Sequence, residues 1–293
     1  MTSAIAGFPA REWGVDVVVG PTPESLEGVT RDEGFMQMAP GEFLALIDDI
    51  GRMHVTAQTV TLEPAAGRTV HDMDYLVYGW APRWIRVLRQ EYTLHASAVV
   101  IESGALAVMG FSGAGKSTTV TALERRGHGL IIDDVVPVDF VDGLPMVFGW
   151  ERPVHLTDEA AEHFAVTDTA RVGTTDLSKI SASIPWVDGA RPLRVAVELM
   201  IDEDAADATC RPLVGAERIQ AILNNSNSAG ISAADGRAHS FFAWATHVAS
   251  SVDVHRITRP PEGWRLDVVL DHIADIIRST DSRHRTQGSP PPS

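Results

Sequence analysis

The sequence predicts an α/β fold with a mixed sheet, and three observations carry that prediction. Ala105-Leu-Ala-Val-Met109 is an apolar run that leads straight into Gly110-Phe-Ser-Gly-Ala-Gly-Lys116-Ser117, after which Ser117 to Arg126 reads as a helix closed by Gly127. His95 to Glu102 reads as a second strand, joined to the first through Ser103-Gly104, which is hairpin spacing. Downstream, strand-like runs and helical patterns keep alternating as far as Ile277.

Taken in order, Asp16-Val-Val-Val19 and Val55 to Leu62 read as strands, and Glu42 to Ile50 as a short helix. Pro82 suits a first helical turn, where its missing N–H costs nothing. A helix over Pro82 to Glu91 then puts Trp84, Val87 and Leu88 on one face, a pattern that favours core packing over a ligand platform. Residues 1–90 are therefore read as a small α+β accessory region, ahead of a main domain over 91–278. Gly129-Leu-Ile-Ile-Asp133-Asp134-Val-Val-Pro-Val138 is a buried-strand pattern interrupted by two carboxylates. Val147 to Trp150, Val154 to Leu156 and Ile184 to Trp186 read as short strands and loops. Arg194 to Ile201 is a strand, followed by a solvated acidic connection at Asp202 to Asp207. Ala216 to Leu223 is a helix leading into the polar loop Asn224 to Gly230. Phe241 to Ser250 is a helix, Val252 to Ile257 a strand and Leu266 to Ile277 an amphipathic helix. From Ser279 the chain turns polar and ends in Gly-Ser-Pro-Pro-Pro-Ser, so 279–293 reads as a disordered tail.

Composition excludes several classes. A formal net charge of −15 argues against a nucleic-acid-binding surface. The single cysteine, Cys210, permits no internal disulfide and fits a reducing cytoplasm. No apolar run approaches the length of a membrane span and no signal-peptide pattern opens the chain, from which a soluble cytoplasmic protein is expected. Neither repeats nor zinc-spaced Cys/His sets occur.

The chemistry is concentrated at Gly110 to Ser117, which fits G-x-x-x-x-G-K-[ST] at every required position. Its glycines let successive backbone N–H groups converge on phosphate oxygens. Gly110, Ser112, Gly113, Ala114, Gly115, Lys116, Ser117 and Thr118 are thus candidate nucleotide-binding residues, with Lys116 on the β/γ-phosphates and the Ser117 hydroxyl on Mg²⁺. Ionised Asp133 and Asp134 in an apolar run need a cation or donors to compensate them, which points them at a metal–nucleotide site. The competing reading is a plain turn at a strand end. Arg152, Arg171 and Arg191 are further phosphate candidates, each also readable as an ordinary surface residue. Among 24 basic residues the lysines number two, Lys116 and Lys179. A lysine kept against such a bias toward arginine is one whose compact ammonium matters. Lys179 is therefore a candidate phosphate or acceptor contact, with a solvated loop lysine as the alternative.

Leu94-His95-Ala-Ser-Ala-Val, the Gly110 to Ser117 loop, Arg126-Gly127-His128 and Ile132-Asp133-Asp134 together resemble the core of the HPr serine kinase/phosphorylase family. His95 lies 21 residues before Lys116 and Asp133 lies 17 after it, which are the family's spacings. The resemblance covers about Glu91 to Val138. It implies a phosphoenolpyruvate-carboxykinase-like P-loop core with a mixed sheet and a hairpin before the loop, spanning 91–278. It also implies an ATP- and Mg²⁺-dependent kinase that phosphorylates a serine of a peptide or protein. The type is close to the small members found in peptide-tailoring pathways such as lasso-peptide modification. Carried onto this chain, Asp133 is the general base, His95 hydrogen-bonds and tunes it, Lys116 neutralises the phosphoryl group, Ser117 holds Mg²⁺, and Asp134 assists metal binding or orientation. His95 alone, at the start of a strand, would read as structural. Family members can be hexameric, which leaves a homo-oligomer open. The family's Glu-Ile-Arg-Gly-Leu-Gly segment is missing here, Glu151-Arg152-Pro153 being the nearest fragment, and that removes the support for a phosphorylase activity or for HPr as substrate. A kinase for a small hydroxylated metabolite and a non-catalytic nucleotide-binding module are the competing functions.

Overall fold

The hairpin ahead of the glycine-rich loop organises the whole protein. In the computed structural model, which describes residues 13–166, 169–172, 179–226, 232, 236–261 and 265–288, strands Ala96–Ile101 and Gly104–Met109 run antiparallel, Ala96 facing Met109 and Ile101 facing Gly104. At Gly104 the chain turns with φ +151°, and a Cβ there would lie 2.3 Å from the Pro192 carbonyl oxygen, so a side chain has no room.

Gly104–Met109 is buried throughout because it lies inside a nine-stranded mixed sheet. Its hairpin partner covers one edge and the parallel strand Arg191–Ile201 the other. Arg191–Ile201 also runs parallel to Asp253–Arg259, which pairs in turn with Thr209–Pro212. Beyond the hairpin lies Leu130–Ile132. From the start of Arg191–Ile201 the sheet continues through Leu144–Val147, Val136–Val141 and Tyr92–Leu94. This is the α/β protein with a mixed sheet that the sequence predicts. Alternation along Gly104–Met109 feeds two cores. Leu106 and Val108 pack with Val120 and Leu123 of the helix Lys116–Arg125 and with Val269, Leu270 and Ile273 of Leu266–Gly288. Ala105, Ala107 and Met109 face Phe241, Trp244 and Val248 of helix Ala238–Ser251.

The N-terminal region departs from expectation in three ways. Glu42–Ile47 is a strand rather than a helix. Gly41 and Asp49 turn the chain at its two ends with φ +88° and +63°, and strands Met36–Ala39 and Gly51–Thr56 satisfy its backbone on both sides. The Val55 to Leu62 run is a hairpin, Gly51–Thr56 against Thr59–Pro64, within a six-stranded sheet. Most importantly, Phe43, Met53, Val55 and Leu62 share one continuous core with Trp84, Ile85 and Leu88 of helix Ala81–Leu88, and with Tyr92, Leu94 and Met109 of the central sheet. The boundary expected near residue 90 is therefore not a break in packing.

At the other terminus, helix Leu266–Gly288 runs through most of the stretch read as a disordered tail. It is anchored there by the Asp281 carboxylate, which accepts from the Ser103 N–H at 2.8 Å, and by the Arg285–Glu102 ion pair at 3.0 Å; residues 289–293 lie outside the described part. Val154–Leu156, Lys179–Ala182 and Thr169–Val172 form a third, antiparallel sheet. Among the described residues no helix is long and apolar enough to cross a membrane.

Candidate active site

Gly110, Gly113 and Gly115 hold φ of +146°, +85° and +101°, values that let the loop between the central strand and helix Lys116–Arg125 curl back on itself. A Cβ on Gly110 would approach the Leu199 carbonyl oxygen to 2.6 Å and the Ala114 Cβ to 2.9 Å. Gly110→Ala should therefore destabilise the fold by about 1–3 kcal/mol. A variant with an unchanged melting temperature would contradict this geometry. Gly115 is the N-cap of the helix, so the loop and the helix N-terminus line the same cleft, an arrangement that suits an anion.

Lys116 is buried, and its ammonium donates to the carbonyls of Gly110 at 2.8 Å and Phe111 at 3.2 Å, with His95 Nε2 at 3.0 Å as its third partner. An ammonium has no lone pair, so His95 Nε2 is the acceptor and its proton sits on Nδ1. That nitrogen lies 3.1 Å from an Asp134 carboxylate oxygen. The result is a Lys116–His95–Asp134 chain with a fixed tautomer. Asp134 also accepts from Arg83 at 2.9 Å and lies 3.7 Å from Arg152. Its backbone, at φ +68°, is what swings this carboxylate out of the strand direction. Burial alone would raise the Asp134 carboxyl, but Arg83, His95 and Arg152 outweigh it and hold the group well below the usual range.

Burial lowers Lys116 to about 8, against the opposing pull of Asp134 and Asp133. A lysine lowered on folding binds fewer protons in the native state than in the unfolded one between its two pKa values. Stability of the nucleotide-free protein should therefore rise from about pH 8 toward 10.5. Lys116→Met should flatten that rise in thermal melts across the same window. Equal slopes for both proteins would refute the linkage.

Asp133 is 1% exposed, with its carboxylate set among three donors at the lining of the cleft. Ser97 donates to one oxygen at 2.5 Å, Ser117 lies 3.0 and 3.1 Å from the two oxygens, and the His155 amide donates at 3.3 Å. The sequence reading joins His95 to Asp133. In the structure His95 belongs to Asp134, because the left-handed turn at Asp134 sends the two neighbouring carboxylates in different directions. It also places Asp134 among guanidinium groups, where a metal ion would be repelled, so Asp134 does not suit the metal role read for it. Ser117 with Asp133 is the pair that fits Mg²⁺. A hydroxyl and one carboxylate are the usual protein share of a site that phosphates and waters complete. Among the described residues no group of three or more His, Cys, Asp or Glu could hold a metal ion.

These groups line one cleft of about 770 Å³. Ser112, Gly113, Ala114, Ser117 and Thr118 form its floor with Gly110, Gly115 and Lys116, while Lys179, its side chain exposed, stands in the wall beside His155 and Glu159. Arg152 is buried behind Asp134, and Arg191 is spent on the carbonyls of Asp188 and Gly189, away from the cleft. The side chain of Arg171 lies outside the described part, as do residues 227–230 of the polar loop. Sequence reasoning missed Arg83, Ser97 and His155. It also missed the buried Glu198, held by Arg256 and Asn225 at 2.8 Å each. The Asn225 carbonyl in turn accepts from the His95 amide at 2.7 Å, which pins the histidine's backbone.

The fold and the loop define an α/β protein with a strand, a glycine-rich loop and a helix in succession at the head of its cleft. No family model matches the chain, and no curated protein matches it. Among solved structures it is similar to the Hpr(Ser) kinase/phosphatase from Coxiella burnetii, at 15% identity over 67% of this chain and 99% of that one, with a TM-score of 0.34. A likeness of that size decides neither activity nor substrate.

Proposed function

We propose that the protein is an ATP- and Mg²⁺-dependent kinase that phosphorylates a hydroxyl, the serine of a peptide or protein being the preferred acceptor. One observation carries the phosphotransferase reading. Lys116, the Ser117–Asp133 pair and the His95–Asp134 pair meet on the floor of a single cleft, above a loop shaped for phosphate. Phosphoryl transfer asks for positioning and charge stabilisation, and this set supplies both. The choice of a serine acceptor rests on the resemblance of the 91–138 segment to the serine-kinase family.

Bound in the cradle, the Mg²⁺–ATP complex supplies the transferable phosphoryl group. The loop amides and Lys116 hold phosphate oxygens, and Ser117 with Asp133 are placed to hold the metal. Once Lys116 turns to phosphate, His95 Nε2 is left with a free lone pair and can take the acceptor's hydroxyl proton. Asp134 holds the opposite ring N–H and balances the imidazolium that forms. This gives His95 and Asp134 the proton-accepting role read from the sequence for Asp133, which is assigned instead to the metal beside Ser117. Lys179, in the wall of the same cleft, is assigned to the acceptor or the transferred group.

The deciding experiment is mass spectrometry of serine-containing peptides after incubation with the protein, ATP and Mg²⁺, with Lys116→Ala as control. A single added phosphate that the control lacks is expected. Tight nucleotide binding with no phosphate on any peptide would overturn the peptide-kinase reading, and phosphate appearing on small alcohols instead would reassign the acceptor.

A further inference from the structure

We infer that Arg83, contributed by the N-terminal region, contacts the transferable γ-phosphoryl group and completes the active site. The inference rests on the phosphotransferase reading above. Helix Ala81–Leu88 is fixed on every other side: Trp84, Ile85, Val87 and Leu88 are in the core, Arg86 pairs with Asp139 and Glu91, and Arg89 donates to the carbonyls of Ala57 and Trp13. Arg83 is the arginine of this helix that faces the cleft, with its side chain 12% exposed.

Its guanidinium lies 2.9 Å from an Asp134 oxygen and 3.4 Å from His95 Nδ1, while the opposite edge of the same imidazole touches the Lys116 ammonium. One ring's width thus separates Arg83 from the cation that grips phosphate. The charge count also asks for an anion. Arg83, Lys116, Lys179, Arg259 and Arg265 line the cleft against the carboxylates of Asp133, Asp134 and Glu159, a positive excess in a chain whose net charge is −15. Asp134 keeps Arg152 and His95 when Arg83 swings away, so the exchange leaves no bare carboxylate. A planar guanidinium that binds two oxygens at once suits a phosphoryl group as well as it suits Asp134.

The test compares the full chain with Arg83→Gln, measuring by calorimetry the affinity for Mg²⁺ complexes of ADP and of β,γ-imido-ATP. A cation aimed at the third phosphate should be felt by the triphosphate alone. Loss of one charged, bidentate contact predicts a drop of about tenfold or more for the imido-ATP complex. The ADP complex should stay within about twofold, as expected of a contact that it does not make. Equal weakening of both nucleotides, or of neither, would overturn the role of Arg83 and leave the kinase reading standing. Failure of the unsubstituted protein to bind either nucleotide would instead remove the reading on which the inference rests. Should Arg83→Gln fail to fold, Arg83→Lys keeps the ion pair with Asp134 and must show the same selective loss.

Discussion

Replacing Asp133 with Asn is expected to cut phosphoryl transfer by about a thousandfold or more while the protein stays folded. The substitution is nearly isosteric, and the amide oxygen can still accept from Ser97 or from the His155 amide. What disappears is the negative charge facing the Ser117 hydroxyl, and with it the carboxylate share of the metal site. The effect should therefore depend on the metal. Binding of the nucleotide without Mg²⁺ should barely change, because the loop amides and Lys116 are untouched, whereas the gain in affinity on adding Mg²⁺ should shrink. Titrating Mg²⁺ against transfer rate and against nucleotide affinity checks both halves. Near-normal transfer at ordinary Mg²⁺ would show that the Ser117–Asp133 pair does not serve the metal. The same experiment on Asp134→Asn separates the two carboxylates, since a fault in the His95 partnership should lower the rate without moving the Mg²⁺ midpoint.

The contrast between these neighbouring residues also marks how far the sequence could be read. The glycine-rich loop, the hairpin before it and the break at Asp133-Asp134 are local features. Each is set by a few residues with specific backbone needs, and each stands where its residues predict. The partnership of the two carboxylates is not local. It depends on the left-handed φ at Asp134, and nothing in the apolar run around Ile132 announces that conformation. Arg83 was illegible for a different reason. Helix Ala81–Leu88 is recognisable from Pro82 and its apolar face, but which of its arginines reaches the site depends on tertiary packing, since Arg83 meets an Asp134 that lies 51 residues away in sequence. Glu42–Ile47 shows the same limit in secondary structure. Six residues of mostly apolar character carry no decisive period, and the choice of strand is made by the two neighbours that satisfy its backbone. Helix Leu266–Gly288 extends past its apolar stripe because tertiary anchors, Asp281 on the Ser103 amide and Arg285 on Glu102, replace the hydrophobic signal there.

Lys116→Arg should abolish transfer almost as completely as Lys116→Ala, although it preserves the charge. The chain uses arginine nearly everywhere a cation is wanted, keeping lysine at positions 116 and 179 among its 24 basic residues. The geometry at position 116 accounts for one of these. A small ammonium sits under the loop and points its three donors at Gly110 O, Phe111 O and His95 Nε2, all between 2.8 and 3.2 Å. A guanidinium spreads its donors in a plane and is wider than the space enclosed by those three acceptors, so it has to push against the loop or the histidine. Displacing His95 would in turn disturb Asp134 and Arg83, which meet the other edge of the ring. The expected outcome is a fall in transfer of about a thousandfold or more for both variants, with nucleotide affinity reduced by about ten- to a hundredfold. Transfer in the arginine variant above about a tenth of the original rate would mean that position 116 needs charge alone, and the case for a shaped ammonium site would fail.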